Sequence, residues 1–550
     1  MIKDDLKRLA KRLLGKPELK FSSEDYQAEE LNDDALGRFI NAHEKFLLDR
    51  HHLPPRADLK PYHEPIKRME PDYNFFNSEV YLRNPEMKPI YEYDNFHSGT
   101  PMKYKPYPGS IRAVRKTLRR GNLYWYPRSA GGFYAQEKVV EYLVREGFKA
   151  EPVEFADGTK YRGLGVNNIV FTCSTTHAYS LIMSSVLRPN DVVLMTGPNY
   201  GLFAIMSELD NYHTEILELR EEDDWQVNPE LLAKRIDNLN AKLLKEYQEK
   251  HGKGNAEDSS DREERAPRVA VFLNLNPHNP TGRVMNSKNR EILEGIGRVC
   301  KERGMFIIDD LVYRDLTYDL DDLAMPIGTM PEYFNSTISL FGLSKAYSLA
   351  SIRAGFIVAP GAVAEVLAQK IHDTMDSMPV LQVEAVAGAF NASNRRYREH
   401  RRYMNHLIAE YKFRYELLKA LVYGISSVKD MVLRKKITGV VKRYARDDAE
   451  LVLKGCKGKI RIRMEPESGF FAVFDFTALK GRSDLDGNIM KTERDLLGFF
   501  FRHGGLTYLM GGNIFWPSSD EFVGRISFGV SRKAIVRNMT LIIKAMGELK

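Results

Sequence analysis

The feature that most restricts the fold of this 550-residue chain is an alternation of short apolar runs with helical segments, which begins near residue 168. The apolar runs lie at 168–172, 191–197, 213–219, 269–275, 305–311 and 336–342. Continuous apolar strands separated by helices are typical of a parallel sheet that helices cover on both faces. Ligands of such sheets bind at the carboxyl ends of the strands. The pattern therefore predicts a three-layer α/β fold with a mostly parallel sheet and a site where its strands end.

The segments on either side of these strands differ from them in composition. We expect a partly helical extension at 1–92, a large α/β domain at 93–380, and a smaller α+β domain formed by residues 381–550 together with N-terminal segments. A polar insertion is expected at about 236–267 and a further insertion at about 425–460. Apolar spacing further predicts helices at 2–14, 33–50, 177–187, 199–209, 382–422, 491–503 and 531–547, and strands at 459–464 and 470–476.

The composition limits the functional classes that this chain can belong to. It has 81 Lys and Arg against 74 Asp and Glu, and its net charge of +7 is scattered, which gives nucleic-acid binding little support. Cys173, Cys300 and Cys456 lie far apart and predict neither a disulfide framework nor a zinc site. The sequence shows no signal peptide and no apolar stretch of about eighteen residues. We therefore expect a cytoplasmic protein without a metal site or a membrane span.

A lysine follows the strand predicted at 336–342. At the end of a buried strand, desolvation disfavours the charged form of Lys345, and a neutral amine can form a Schiff base with an aldehyde. Arg353, eight residues later, is suited to a bidentate grip on a phosphate. A reactive lysine with a phosphate-binding arginine is what a pyridoxal 5′-phosphate (PLP) site needs. A loop lysine and a surface arginine explain this stretch equally well.

Two other strand ends carry groups that suit a cofactor ring. Asn279 follows one strand in NPHNPTG, where its amide could donate a hydrogen bond to a phenolate oxygen. Asp310 ends the next strand, and a carboxylate there would keep a pyridine nitrogen protonated. Tyr313 could reach the same ring oxygen as Asn279. Taken one at a time, these residues are explained as well by a turn, a helix cap and a core tyrosine.

Three further segments could complete the site. Ser174, Thr175 and Thr176 join a strand to a helix, and their backbone N–H groups form a natural phosphate cradle. Tyr200 follows a strand and could stack on a flat ring. Arg525 is suited to a bidentate grip on a carboxylate. Ordinary capping, a core tyrosine and a surface arginine are the competing interpretations.

In this order and spacing, the features resemble the fold-type-I PLP enzymes of the class I/II aminotransferase (aspartate aminotransferase-like) superfamily. The resemblance covers roughly residues 95–550 and is carried by the Asn-Pro-x-Gly, Asp-x-x-Tyr and Ser-Lys…Arg elements at 279–282, 310–313 and 344–353. It implies an aldimine between PLP and Lys345, with the other cofactor contacts from Ser174, Thr175, Thr176, Tyr200, Asn279, Asp310, Tyr313, Ser344 and Arg353. It also implies that Arg525, Asn279 and Gly99 contact the substrate.

The resemblance extends to one further tyrosine and has two departures. Tyr126 resembles the tyrosine that reaches the cofactor phosphate of the neighbouring subunit, with Tyr124 as a competing choice. Gly342 replaces the usual serine three residues before the lysine, so a hydroxyl contact to the phosphate could be missing. His177 stands in the phosphate turn, where a small residue is common.

The function implied is transamination between an L-amino acid and a 2-oxo acid with ping-pong kinetics, in a homodimer or a larger homo-oligomer. Lys345, Asp310 and Tyr313 are the expected catalytic residues. Aspartate 4-decarboxylation, or another PLP-dependent lyase or synthase reaction, remains an alternative because of the length and insertions of the chain. A PLP-binding regulator or silent scaffold is disfavoured, because no DNA-binding domain is found and Lys345, Asp310 and Arg525 are all present.

Overall fold

The computed structural model describes residues 95–101, 104–121, 123–124, 126–188, 190–209, 212–251 and 266–550. The extension predicted at 1–92, with its two helices, lies outside these residues. Among the described residues, no helix is both long and apolar enough to cross a membrane.

The strands, in chain order, are β1 (Val153–Glu154), β2 (Lys160–Tyr161), β3 (Ile169–Thr172), β4 (Val192–Gly197), β5 (His213–Glu218), β6 (Val269–Leu275), β7 (Phe306–Asp310), β8 (Thr337–Gly342), β9 (Gly355–Val358), β10 (Arg461–Ile462), β11 (Phe471–Asp475), β12 (Leu509–Met510) and β13 (Val523–Ser527). The α-helices are α1 (Pro108–Arg120), α2 (Phe133–Arg145), α3 (Thr175–Val186), α4 (Leu202–Leu209), α5 (Pro229–His251), α6 (Arg290–Glu302), α7 (Pro331–Phe334), α8 (Gly361–Met375), α9 (Val380–Ala389), α10 (Asn394–Tyr423), α11 (Met431–Ala445), α12 (Ala449–Leu453), α13 (Glu493–Arg502) and α14 (Arg532–Glu548).

Seven strands form the large sheet, in the order β3-β9-β8-β7-β6-β4-β5. Strands β8, β7, β6, β4 and β5 are parallel to one another, and β9 runs antiparallel to both of its neighbours. Alternate residues of β4 belong to two separate apolar clusters, Val193 and Met195 to one and Val192 and Leu194 to the other. The sheet is therefore buried on both faces, and the predicted mostly parallel α/β fold is confirmed. Strand β9 was not predicted.

A second sheet, entirely antiparallel, has the order β10-β11-β13-β12. Residues from the start of the described chain pack against it, since Ser527 N–H donates to the Phe96 carbonyl at 2.8 Å. The Asn95 side chain donates to the Gly505 carbonyl (2.8 Å) and accepts from Thr507 N–H (3.0 Å). The segment at 95–96 thus joins the C-terminal sheet, while the domain boundaries near 93 and 381 stay a prediction.

The helical stretch predicted at 382–422 consists of two helices, α9 and α10. The chain leaves helical geometry at Phe390 (φ −93°, ψ 78°). The Asn391 side chain then accepts a hydrogen bond from Ser393 N–H at 3.1 Å, a local bond that competes with the helix. In the predicted insertions, α5 covers the start of 236–267, residues 252–265 lie outside the description, and α11 and α12 lie within 425–460.

Candidate active site

The parallel strands bring the predicted residues to one edge of the large sheet. Asp310, the last residue of β7, pairs with Leu275 on β6 and with Leu340 on β8. Because these strands end together, the turns that follow them carry Asn279, Tyr313 and Lys345 at the same edge.

Lys345 lies in the turn after β8. Its Nζ donates a hydrogen bond to the Gly99 carbonyl at 2.5 Å and lies 6.0 Å from the centroid of the Tyr313 ring. Burial, reinforced by the positive charges of Arg525 and Arg353, lowers the pKa of Lys345 to about 8, and the Asp310 carboxylate opposes the shift. Near neutral pH the neutral form of this amine is therefore far more populated than in an ordinary lysine.

Asp310 supplies a buried carboxylate beside that amine. The side chain accepts a hydrogen bond from Val312 N–H at 3.0 Å. Burial raises the pKa of Asp310 to about 6, although the Val312 N–H and the charge of Lys345 favour the ionised form. Burial also raises the pKa of the Tyr313 phenol, which therefore keeps its proton and can donate a hydrogen bond.

Arg525 reaches the same place from β13 of the second sheet. Its Nη2 donates to the His97 carbonyl at 3.0 Å, and its Nη1 lies 3.4 Å from the amide oxygen of Asn279. The guanidinium lies 4.2 Å from the centroid of the Phe471 ring, a cation–π distance. Arg525 is 3% exposed, and burial lowers its pKa. Its fixed, desolvated guanidinium is suited to bind a carboxylate.

The turn predicted to bind a phosphate, at residues 174–176, lies at the start of α3. Ser174 caps this helix, accepting from His177 N–H at 3.4 Å, and its backbone has φ 94° and ψ 166°, a region that favours glycine. Arg353 Nη2 donates to the Ser174 hydroxyl at 2.7 Å. Thr175 and Thr176 are the first residues of the helix, so their N–H groups point out of its N-terminus. The structure thus brings Arg353 to the predicted cradle.

The structure shows what surrounds Gly342 and His177, the two departures from the family pattern. A Cβ at Gly342 would lie 3.1 Å from Thr175 Cγ2 and 3.3 Å from Val312 Cγ2, so these methyl groups fill the space of a side chain at 342. The ring of His177 folds back on the turn, where its Nδ1 accepts from Cys173 N–H at 3.0 Å. Burial lowers the pKa of His177, so it adds no positive charge to the cradle near neutral pH.

The remaining predicted residues divide into two groups. Tyr200 is close enough to the site for the charges of Arg525, Asp310 and Arg353 to act on its hydroxyl, and burial raises its pKa. A Cβ at Gly99 would lie 3.6 Å from Lys345 Nζ and 4.0 Å from Arg525 Nη2. Both therefore border the site.

The other group lies at the surface or has no described contact with the site. Tyr126 and Tyr124 are 81% and 78% exposed. Ser344 precedes Lys345 in its turn and is partly buried.

Comparison with known proteins decides the family. Residues 134–440 match the family model described as aminotransferase class I and II. The chain belongs to the class I and II aminotransferase family. A probable aspartate/prephenate aminotransferase of Aquifex aeolicus (strain VF5) is 25% identical to it over 437 residues, which are 80% of this chain and 87% of the relative. An aspartate aminotransferase of Musicola paradisiaca (strain Ech703) is 24% identical over 193 residues, or 35% of this chain and 40% of that protein.

A third relative, an aspartate aminotransferase of Geobacillus stearothermophilus, is 22% identical over 50% of this chain and 59% of its own length. The chain thus spans 40% and 59% of the Musicola and Geobacillus proteins. Among solved structures, the aspartate aminotransferase from Rhizobium meliloti has a TM-score of 0.63 at 15% identity, over 87% of this chain and 96% of that one. The Thermus thermophilus enzyme with maleate has a TM-score of 0.60 at 16% identity, over 88% and 98%. The fold is that of the fold-type-I enzymes.

Aminotransferases of this family depend on PLP, and the residues of this site fit that cofactor. Among the described residues, Lys345, Arg353 and Arg525 carry three potential positive charges against the carboxylate of Asp310, an excess that suits a phosphate and a substrate carboxylate. Nε of Arg525 is buried and has no hydrogen-bond partner among the described residues. Such a donor is expected where a group from outside the chain binds.

Two contributors to the site were not predicted from the sequence. The His97 carbonyl holds Arg525, and the Phe471 ring packs on its guanidinium. His97 lies in the same FHSGTP loop as Gly99, but a backbone carbonyl leaves no signature in a sequence. Phe471 lies in a strand of apolar residues, where nothing distinguishes the one that packs on Arg525.

Proposed function

We propose that this protein is a PLP-dependent aminotransferase that moves an amino group between an L-amino acid and a 2-oxo acid. The observation that carries the proposal is the convergence of a desolvated amine, a buried carboxylate and a buried guanidinium, those of Lys345, Asp310 and Arg525. The cofactor, when bound, supplies an aldehyde for the substrate amine and a ring that accepts electrons from the substrate.

The residues that would hold the cofactor are those of the sheet edge. Arg353 and the N–H groups at 174–176 bind the phosphate, and Asn279 and Tyr313 donate to the ring oxygen. Asp310 keeps a proton on the ring nitrogen. Tyr200 packs on the ring, and Ser344 lies in the same turn as Lys345.

The residues that would act on the substrate follow from the same geometry. Arg525 binds the α-carboxylate with Asn279 beside it, and Gly99 leaves room over the substrate. Lys345, when not bound to the cofactor, would take the proton from the substrate α-carbon as a base and, as an acid, would deliver it to the cofactor instead of returning it to that carbon. Its pKa of about 8 makes both protonation states available near neutral pH. Two half-reactions in sequence give ping-pong kinetics.

We further propose that the protein is a cytoplasmic homodimer. Large apolar side chains from the last turn of α1 to the first turn of α2 are exposed in the single chain, among them Leu118, Tyr124, Tyr126, Phe133 and Tyr134. Tyr126 would reach the phosphate at the neighbouring site. Light scattering on the purified protein checks the dimer, and a monomer that is fully active would refute the role of Tyr126.

The test of the function begins with borohydride reduction of the PLP-loaded protein and mass mapping of the reduced adduct, expected on Lys345. Lys345→Ala should abolish turnover, whereas Lys435→Ala, which changes an exposed lysine of α11, should not. Turnover by Lys345→Ala, or an adduct on another lysine only, would refute the proposal.

The substrate can be identified by testing the half-reaction of the PLP-loaded protein with one amino acid at a time. Because relatives are named for aspartate, prephenate, glutamate and alanine, aspartate, glutamate and alanine come first, each scored by the bleaching of PLP absorbance. Aspartate with and without 2-oxoglutarate separates the alternatives. Alanine released from aspartate without any oxo acid would show 4-decarboxylation instead of transamination.

A further inference from the structure

A buried polar network lies directly behind the residues of the candidate active site. The Tyr347 hydroxyl donates to Asp315 Oδ2 at 2.5 Å, and the other oxygen of Asp315 accepts from Arg314 Nη1 at 3.3 Å. Arg314 Nη2 donates in turn to Glu146 at 2.8 Å. The side chains of Arg314, Asp315 and Glu146 are only 6 to 8% exposed. Such a network is costly to bury and strongly constrains the segments it joins.

The network joins two of the segments that carry the site. Tyr347 follows Lys345 by two residues in the same turn, and Asp315 follows Tyr313 by two residues. The hydrogen bond between Tyr347 and Asp315 is therefore a direct tie between the turn that carries the amine and the segment that leads from β7. The Tyr347 backbone is also fixed, since its carbonyl accepts from Tyr107 N–H at 3.0 Å.

The protonation states of Tyr347 and His400 fix the direction of the hydrogen bonds that they make. Burial raises the pKa of the Tyr347 phenol well above its ordinary value, so the hydroxyl keeps its proton and donates it to Asp315. Burial lowers the pKa of His400, whose Nε2 lies 3.1 Å from the Tyr347 hydroxyl. The His400 ring stacks on Tyr347 with centroids 5.5 Å apart. A neutral His400 with its proton on Nε2 then donates to the tyrosine oxygen.

We propose that Tyr347 and Asp315 are positioning residues, whose hydrogen bond holds the turn of Lys345 so that its amine stays in the desolvated site beside Asp310. This inference rests on the proposed function of Lys345. Without the bond, the turn has fewer constraints, and the amine spends more time in water. The groups that face the amine from the surrounding elements remain in place: Asp310 on β7, Tyr313 after it, Arg353 before β9 and Arg525 on β13.

The same network offers a matched control. The Tyr397 hydroxyl donates to Glu146 at 2.8 Å, so it too is a bond from a tyrosine to a carboxylate of the network. Tyr397 lies on α10 and is not attached to the lysine turn. If the network only contributed to packing, Tyr347→Phe and Tyr397→Phe would both lower stability and neither would change the behaviour of Lys345.

The experiment measures Lys345 in the cofactor-free, full-length protein. Formaldehyde with cyanoborohydride methylates neutral amines, and the methylation of the Lys345 peptide is followed by mass spectrometry from pH 6 to pH 11. We expect a midpoint near pH 8 in the wild type and in Tyr397→Phe. In Tyr347→Phe we expect a midpoint about one pH unit higher, because desolvation is the main cause of the lowered pKa.

Variants of Asp315 provide a second measurement. Asp315→Asn keeps an acceptor for the Tyr347 hydroxyl and should keep the wild-type midpoint, whereas Asp315→Leu should raise the midpoint as Tyr347→Phe does. A wild-type midpoint in Tyr347→Phe or in Asp315→Leu, with a native circular dichroism spectrum, overturns the inference. Equal shifts in Tyr347→Phe and Tyr397→Phe overturn it as well.

The experiments distinguish a failure of this inference from a failure of the proposed function. A reduced PLP adduct on Lys345 of the wild type together with an unshifted Tyr347→Phe profile leaves the function standing and removes the positioning role. The absence of the adduct removes the function, whatever the methylation profiles show.

Discussion

Asp310 lies in the interior with a raised pKa, so its carboxylate should cost the cofactor-free protein stability. In the unfolded chain this group ionises near pH 3.8, and in the folded protein at about 6. Between these values the folded state binds more protons, so its stability falls as the pH rises through the window from about 4 to 6. The shift of about two units corresponds to roughly 3 kcal/mol above pH 6. Asp310→Asn should recover most of this energy.

The assay is urea unfolding of the cofactor-free protein at several pH values. At pH 7.5 we expect Asp310→Asn to be more stable than the wild type by about 2–3 kcal/mol, because an amide oxygen can still accept from Val312 N–H. The advantage should shrink as the pH falls through the window from about 6 to about 4 and vanish below about pH 3, where the aspartate is neutral in both states. The PLP-loaded variant should have lost most of its aminotransferase activity.

A second buried aspartate serves as the control with the opposite sign. Although burial raises the pKa of Asp475, hydrogen bonds from Thr477 and Arg461 bring it below its ordinary value. Asp475→Asn should therefore lower the stability at pH 7.5. An Asp310→Asn protein that is no more stable than the wild type at pH 7.5, or whose advantage does not depend on pH, would refute the reasoning.

Three further predictions follow from single contacts. Ser174→Gly should stabilise the cofactor-free protein by about 1 kcal/mol, because φ 94° favours glycine. The same change should raise the dissociation constant of PLP. Urea unfolding measures the stability and PLP titration the dissociation constant, and a destabilised variant would contradict the first expectation. Gly282→Ala, at φ 73° with a new Cβ only 2.6 Å from Pro466 Cβ, should lose more than about 1 kcal/mol of stability; an unchanged unfolding midpoint would contradict it. Arg525→Lys should raise the KM for the amino acid at least about tenfold, since lysine has no planar fork to hold a carboxylate; steady-state kinetics at fixed 2-oxo acid would show an unchanged KM if this is wrong.

Much of the site could be predicted because its residues follow strand ends. Asn279, Asp310 and Lys345 come within a few residues of β6, β7 and β8, and the carboxyl ends of parallel strands meet at one edge. The apolar runs located those strands, so local patterns were sufficient to predict that these residues follow strand ends.

Other features depended on contacts that no local pattern records. The break between α9 and α10 is marked only by a short polar run, Asn391, Ser393 and Asn394, between two segments of helical composition. Strand β9 is four residues long and antiparallel to both of its partners. One partner, β3, lies far away in the sequence, and the other, β8, precedes β9 across a turn.

By itself, the sequence determined the layered α/β fold and the set of groups at the sheet edge, because hydrophobic periodicity and turn chemistry act over a few residues. Only the tertiary structure decided how those groups are tuned. The approach of Arg525 to Asn279, from 246 positions away, and the bond from Tyr347 to Asp315 exist only once the second sheet and the core have packed. Burial and neighbouring charge, which set the pKa values of Lys345 and Asp310, are properties of the packed interior, and a linear pattern does not contain them.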